Sequence, residues 1–246
     1  MIPVFPQAWY TFTMTIELKT YFLKEYGSWS VLVVAYLAGA CVCHAFSWLL
    51  FPLFAALALL INSKQAFMKW LRKTEDRTSF FIMLGQVIVA ALILAVIFRS
   101  EVLRLLPLLV IPALYLLSVR IAGEHNLTTE FLGFALISLA AVLAKFVLTD
   151  GIDVRLFIGV AIYFMAGIFK IKVVLLKKMQ DRIFTALFVL FSIFVYHRFY
   201  IPAIVLLPLL DNLIASATLY RVRLQTTGWI EVAKSILFLV LFVSYY

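Results

Sequence analysis

SFFIMLGQVIVAALILAVIF, residues 79–98, runs for twenty positions without a single charge. A helix of that length rises about 30 Å, which matches the hydrocarbon thickness of a bilayer. Working outward from it, comparable apolar stretches fall at about 28–46, 47–62, 103–119, 127–148, 155–175, 183–198, 201–220 and 229–246. The fold class expected is therefore all-α: a polytopic transmembrane bundle of about nine helices. Spans one and two meet so tightly, near CHAFSW, that a helical hairpin is required there.

Composition supports the same reading. The 246 residues are 65% hydrophobic and 13% charged, with mean hydropathy +1.09. Soluble domains carry about 25% charged residues, and no interior of this size could hide so much apolar surface. Nine spans leave room for short loops only. Residues 1–27 read as an N-terminal interfacial arm, its Pro3, Pro6, Trp9, Tyr10 and Phe12 suited to the headgroup layer. Residues 28–246 read as one transmembrane domain. The arm lacks a basic start and a small-residue cleavage site, so no cleavable signal is expected. Two cysteines exclude a disulfide framework.

The net charge of +9 speaks to topology rather than to nucleic acid, which is not an expected partner. With the N-terminus inside, fifteen basic residues fall on the cytoplasmic side: Lys19 and Lys24; Lys64, Lys69, Arg72, Lys73 and Arg77; Arg120; Lys170, Lys172, Lys177, Lys178 and Arg182; Arg221 and Arg223. Only Arg99, Arg104, Arg155 and Arg198 fall outside. That asymmetry follows the positive-inside rule and would be scrambled by one missed span. It sets the N-terminus inside and the C-terminus outside.

Ionisable groups within lipid are costly and mark pairing or function. Several collect at the expected cytoplasmic ends of spans. Glu25 and Trp29 stand at the entry to the first span, and Glu124, Asn126 and Glu130 open the fifth. Lys170 and Lys172 close the sixth, Arg221 and Arg223 the eighth, and Glu231 with Lys234 begins the ninth. Glu231 and Lys234, three apart, share a helix face and can pair. Glu130 has Arg221, Arg223 or Lys170 as candidate partners. The cluster is either a mutually neutralising charge layer that fixes packing or the wall of a cytoplasm-facing polar cavity. In a cavity, Lys170, Lys172, Arg221 and Arg223 would bind an anion or headgroup. If the protein is catalytic, Glu130 and Glu231 are the candidate bases. Asp211 and Asn212 lie deep in the eighth span just after Pro208, a position for lining a cavity, with Lys145 as partner of Asp211 or snorkelling outward.

On the outer side, Cys41, Cys43 and His44 supply metal-ligand residue types but lack the paired spacing of a zinc site, so no metal site is assigned. His44 and His197 share that face. Neither sits mid-helix in a bundle core, so haem is not expected either.

Three stretches carry a family resemblance: KEYGSWSVLVVAYLAGA (24–40), EHNLTTEFLGFALISLAA (124–141) and TTGWIEVAKSILFLVLFV (226–243). They resemble the opening, middle and closing helices of YwiC-like bacterial membrane proteins, with Tyr26 where that family usually has His. In helix number that family is similar to the UbiA superfamily of membrane prenyltransferases. The similarity implies nine helices around a lipid-facing cavity and two Asp-rich cytoplasmic motifs. Their carboxylates would hold Mg²⁺ against a prenyl diphosphate. Here the first motif position, Asn62, is followed by Ser63, Ala66 and Trp70 where carboxylates belong, and the second offers Lys177 and Asp181 in KKMQD.

Three functions follow as expectations. One is a UbiA-like protein that binds or modifies an isoprenoid, quinone or other lipid without Mg-diphosphate chemistry; bound lipid or quinone is then its expected ligand. A second is a non-catalytic subunit or assembly factor of a larger respiratory or photosynthetic membrane complex. The third is a small-molecule transporter, hinted at by Pro208 and Asp211.

Overall fold

A computed structural model of the chain describes residues 21–23, 25–72, 77–218 and 224–246. The described residues form nine helices and no strand: α1 Tyr26–Cys41, α2 Leu50–Arg72, α3 Arg77–Ile97, α4 Val102–Ala122, α5 Leu127–Thr149, α6 Val154–Leu176, α7 Met179–Arg198, α8 Ala203–Thr218 and α9 Leu224–Tyr245. Seven are long and apolar enough to cross a membrane, while α1 and α8 are shorter apolar helices. The expected arm lies largely outside the described residues, as do Lys24, Arg221 and Arg223.

Helix boundaries follow local chemistry. α1 ends at Cys41 and α2 begins only at Leu50, later than the expected 47, because Pro52 suits a first helical turn that needs no N–H donor. α2 then runs ten residues past its expected end at 62, and its Asn62 and Ser63 are buried. Asn126 caps α5, its Oδ1 accepting from the Thr128 N–H at 2.9 Å. Asp153 caps α6 in the same way through Leu156 N–H at 3.0 Å.

α8 changes winding along its length. Ala203–Leu209 is a 3₁₀ helix containing Pro208, and Leu210–Thr218 is α-helical. The expected break before Asp211 is therefore present. A 3₁₀ segment rises about 2.0 Å per residue against 1.5 Å for an α-helix. The two halves thus reach about 27 Å together, close to a bilayer's thickness despite a short sequence. At the far end Arg182 donates from Nε to Ser216 O and from Nη2 to Ala217 O at 3.0 Å, satisfying terminal carbonyls.

The chain forms two compact units, one from the described parts of Met1–Tyr26 with Phe51–Arg99, the other from Gly27–Leu50 with Ser100–Tyr246. In the first, the Leu23 N–H donates to Asn62 Oδ1 at 2.9 Å, and Lys64 pairs with Glu25 at 2.9 Å. In the second, α5 packs between α4 and α6, and α6 also meets α7. The α-helical half of α8 lies on α6 and α7, and its 3₁₀ half on α9. Small residues set the closest approach: Gly39 of α1 lies directly on the backbone of Ala141 in α5. Buried hydroxyls find carbonyls, Tyr36 on Leu50 O at 2.6 Å and Tyr196 on Gly159 O at 2.7 Å.

Candidate functional site

Three charged residues of the second unit lie at one depth. Lys170 is six residues before the end of α6, Asp211 seven before the end of α8, and Glu231 seven after the start of α9. At 1.5 Å per residue each is about 9–10 Å inside the same end of the bundle. Lys170 and Lys172, expected to close the sixth span, both belong to α6, whose apolar run continues to Leu176.

Lys170 Nζ donates to Asp211 Oδ2 and, at 2.6 Å, to Glu231 Oε1. Lys234, one turn along α9 from Glu231, donates to Glu231 Oε1 at 3.0 Å and stands 3.2 Å from Asp211 Oδ2. The pairing of Glu231 with Lys234 expected from their spacing is thus present, within a larger network. Asn212 completes it, accepting from Lys234 Nζ at 2.6 Å and donating through Nδ2 to Ala166 O at 3.1 Å. Among the described residues the two ammonium groups balance the two carboxylates, the condition under which ions persist in lipid.

Exposure divides the network. The side chains of Lys170 and Lys234 are 1% and 9% exposed, those of Asp211 and Glu231 27% and 32%. The two lysines are therefore the buried members of the network, and the two acidic side chains its partly exposed ones. Toward the bundle centre the network rests on aromatic packing: Tyr163 stacks on Phe238 at 3.7 Å between centroids, and Phe238 meets Phe242 at 5.2 Å.

The remaining expected site residues do not join this group. Glu130 pairs with Lys172 at 3.0 Å; since Lys170 and Lys172 are two apart, they leave α6 on different faces. Asn126 is used as a helix cap, and Glu124 lies half-buried in the turn before it. Trp29 is half-buried near the start of α1, and Glu25 belongs to the first unit, where Lys64 holds it. Arg221 and Arg223 lie outside the described residues. His44 and His197 are both exposed. Lys234 was left out of the expected site. Its signal in the sequence was a charge three residues beyond Glu231 inside an apolar span.

The residues at which the expected likeness to UbiA enzymes would set the first Mg²⁺ motif do not fit that ion. Asn62 Oδ1 accepts from Leu23 N–H, Ser63 Oγ donates to Leu60 O at 2.7 Å, and Ala66 and Trp70 offer no oxygen. Magnesium needs several oxygen donors.

A second ionic group closes the opposite end of the unit. Lys145 does not reach Asp211; it pairs with Asp153 at 2.5 Å, across the turn between α5 and α6. The Tyr246 hydroxyl donates to the same Asp153 Oδ2 at 2.7 Å, and Arg155 lies 4.8 Å from the centroid of the Tyr246 ring. Burial pushes the Asp153 carboxyl up, but hydrogen bonds from Lys145, Leu156 N–H and Tyr246 outweigh it and hold it below its ordinary 3.8. A carboxyl held low stabilises the fold above its unfolded pKa, and that contribution is lost as pH falls through the folded value. The melting temperature should therefore fall as pH drops below about 4. The fall should be visibly smaller in Asp153→Asn; equal slopes in the two proteins would remove Asp153 as its source.

These features define a polytopic α-helical integral membrane protein with an ionic network set inside one end of its bundle. The chain belongs to the YwiC-like protein family, whose model matches residues 23–145. The match takes in α1 to α4 and most of α5, including two of the three resembling stretches; Lys170, Asp211, Glu231 and Lys234 lie beyond it. No curated protein and no solved structure matches the chain.

Proposed function

We propose that this YwiC-like protein binds a membrane lipid of the isoprenoid or quinone type at the Lys170–Asp211–Glu231–Lys234 network, without metal-assisted diphosphate chemistry. The observation that carries this reading is the partial exposure of Asp211 and Glu231 well inside the helix ends. Partly exposed acidic side chains at that depth favour a polar group or a hydrated cleft beside them. A lipid whose head enters from the membrane plane supplies one, while its tail stays among the exposed apolar side chains. The basic loops favour the cytoplasmic face of a bacterial inner membrane for this end of the bundle.

Mass spectrometry of the protein purified gently from native membranes tests the reading. The wild type should carry about one isoprenoid or quinone per chain. Asp211→Asn and Glu231→Gln should each lower that content at least tenfold while remaining monodisperse. Equal lipid content in all three proteins would refute the site. Companion subunits in fixed ratio, with no distinctive lipid, would favour a subunit of a larger complex instead.

A transporter is the second reading. It is favoured by the 3₁₀-to-α change in α8, which ends one residue before Asp211 and puts irregular backbone beside an intramembrane carboxylate.

A further inference from the structure

At the opposite end of the second unit, and independently of the network, we infer that Arg155 holds the phosphate of a phospholipid head group. Arg155 is the second residue of α6. Its guanidinium is fixed from two sides: Nη2 donates to Tyr200 O at 2.5 Å, and Cζ lies 4.8 Å from the centroid of the Tyr246 ring. Neither contact brings a negative charge. Among the described residues no carboxylate stands within ion-pair distance of it. Asp153, two residues earlier, is taken by Lys145 at 2.5 Å, by the Tyr246 hydroxyl at 2.7 Å and by the Leu156 N–H at 3.0 Å.

The guanidinium has donors to spare. Its planar fork carries five N–H groups, and a single carbonyl takes one of them. Nε is buried without an acceptor, and Nη1 makes no hydrogen bond among the described residues. Arg182 is the instructive contrast: it too caps a helix end, but gives Nε and Nη2 to separate carbonyls of Ser216 and Ala217. Position adds to the imbalance. A cation in the first turn of a helix meets the partial positive charge of the free N–H groups there. Arg155 and the start of α6 therefore reinforce one another, and one anion relieves both.

Depth makes that anion a lipid phosphate. The 23 residues of α6 span about 34 Å, so its second residue lies at the edge of a hydrocarbon core about 30 Å thick, where phosphates begin. Apolar side chains for the acyl tails are exposed from the same end. Val154 precedes Arg155, and Ile204 and Leu207 lie three apart on the 3₁₀ half of α8, the spacing that puts them in one row. His197, Arg198 and Tyr200 are exposed beyond the end of α7. The head that fits is a phosphodiester without an ammonium of its own, as in phosphatidylglycerol, met by the guanidinium fork.

Native mass spectrometry of the full chain in detergent, titrated with phosphatidylglycerol, is the test. Arg155→Gln should retain one phosphatidylglycerol fewer than the wild type. Arg99→Gln removes the same charge from an exposed residue of the other unit and should retain the wild-type number. Equal retention by Arg155→Gln and the wild type, or equal losses in the two variants, would overturn the inference. Should Arg155→Gln fail to fold, Arg155→Lys takes its place, keeping the charge but not the fork. It should release that lipid at least about tenfold more readily, as the loss of a charge-assisted hydrogen bond implies; unchanged retention would again overturn the site. Excess inorganic phosphate should leave the lipid on the wild type. Displacement by it would overturn the lipid as the source of the phosphate.

Discussion

Lys170→Met should be among the most damaging single substitutions in this protein, lowering the melting temperature by on the order of 10 °C. The side chain is 1% exposed, and its ammonium serves both Asp211 and Glu231. Methionine keeps the length and flexibility of the stem, so packing is largely preserved and the change isolates the charge. Asp211 and Glu231 then lose the buried ammonium that both share, and one positive charge is removed from the network inside the membrane. Removing one partner of a buried ion pair costs about 3–5 kcal/mol, and each kcal/mol shifts the midpoint of a chain this size by about 2–4 °C. The paired variant Lys170→Met with Asp211→Asn removes one charge of each sign and should recover more than half of the loss. Thermal unfolding in detergent, followed by size-exclusion chromatography, measures both. A single variant that melts like the wild type would show that the four charges do not act as a unit.

Gly39→Ala should be comparably severe, for a steric reason. A Cβ at Gly39 would lie 1.9 Å from Ala141 O and 2.6 Å from Ala141 C. Both are backbone atoms of α5, so no rotamer change relieves the clash; α1 must withdraw by more than 1 Å. Overpacking usually costs about 1–3 kcal/mol, and a backbone collision lies at or above the top of that range. Gly167→Ala is the matched control, since a Cβ there would meet nothing within 4 Å. Chromatography of detergent extracts should give a monodisperse peak for Gly167→Ala and mainly aggregate for Gly39→Ala. Similar profiles for the two would mean that α1 and α5 do not pack as described.

The same two residues mark how far the sequence could be read. Gly39 was visible only as one more small residue in an apolar run, because periodicity gives a helix's length and says nothing about which backbone it touches. Lys170 closes the sixth span in the sequence, where a lysine can equally pair across the bundle or snorkel to the interface, so its burial between two carboxylates is not legible there. Lys145 was weighed as a partner for Asp211, both being charges inside spans. In space it belongs to the opposite end of the bundle, with Asp153. Glu130 was left with three candidate partners and took Lys172 instead.

What the sequence by itself determined was the solvent, the approximate number of helices and the break before Asp211. All three follow from one-dimensional quantities: apolar run length, the 1.5 Å rise and the position of a proline such as Pro208. It also determined that Glu231 and Lys234 would meet, because an i,i+3 contact lies within a single helix. What only the tertiary structure decided was the joining of Lys170, Asp211, Asn212 and the Glu231–Lys234 pair into one network, with its lysines buried and its acidic side chains partly exposed. That outcome depends on which helices are neighbours and how each is rotated about its axis. In lipid those choices are made by close packing of small residues and by charge pairing across helices. Neither leaves a mark in the spacing along one chain.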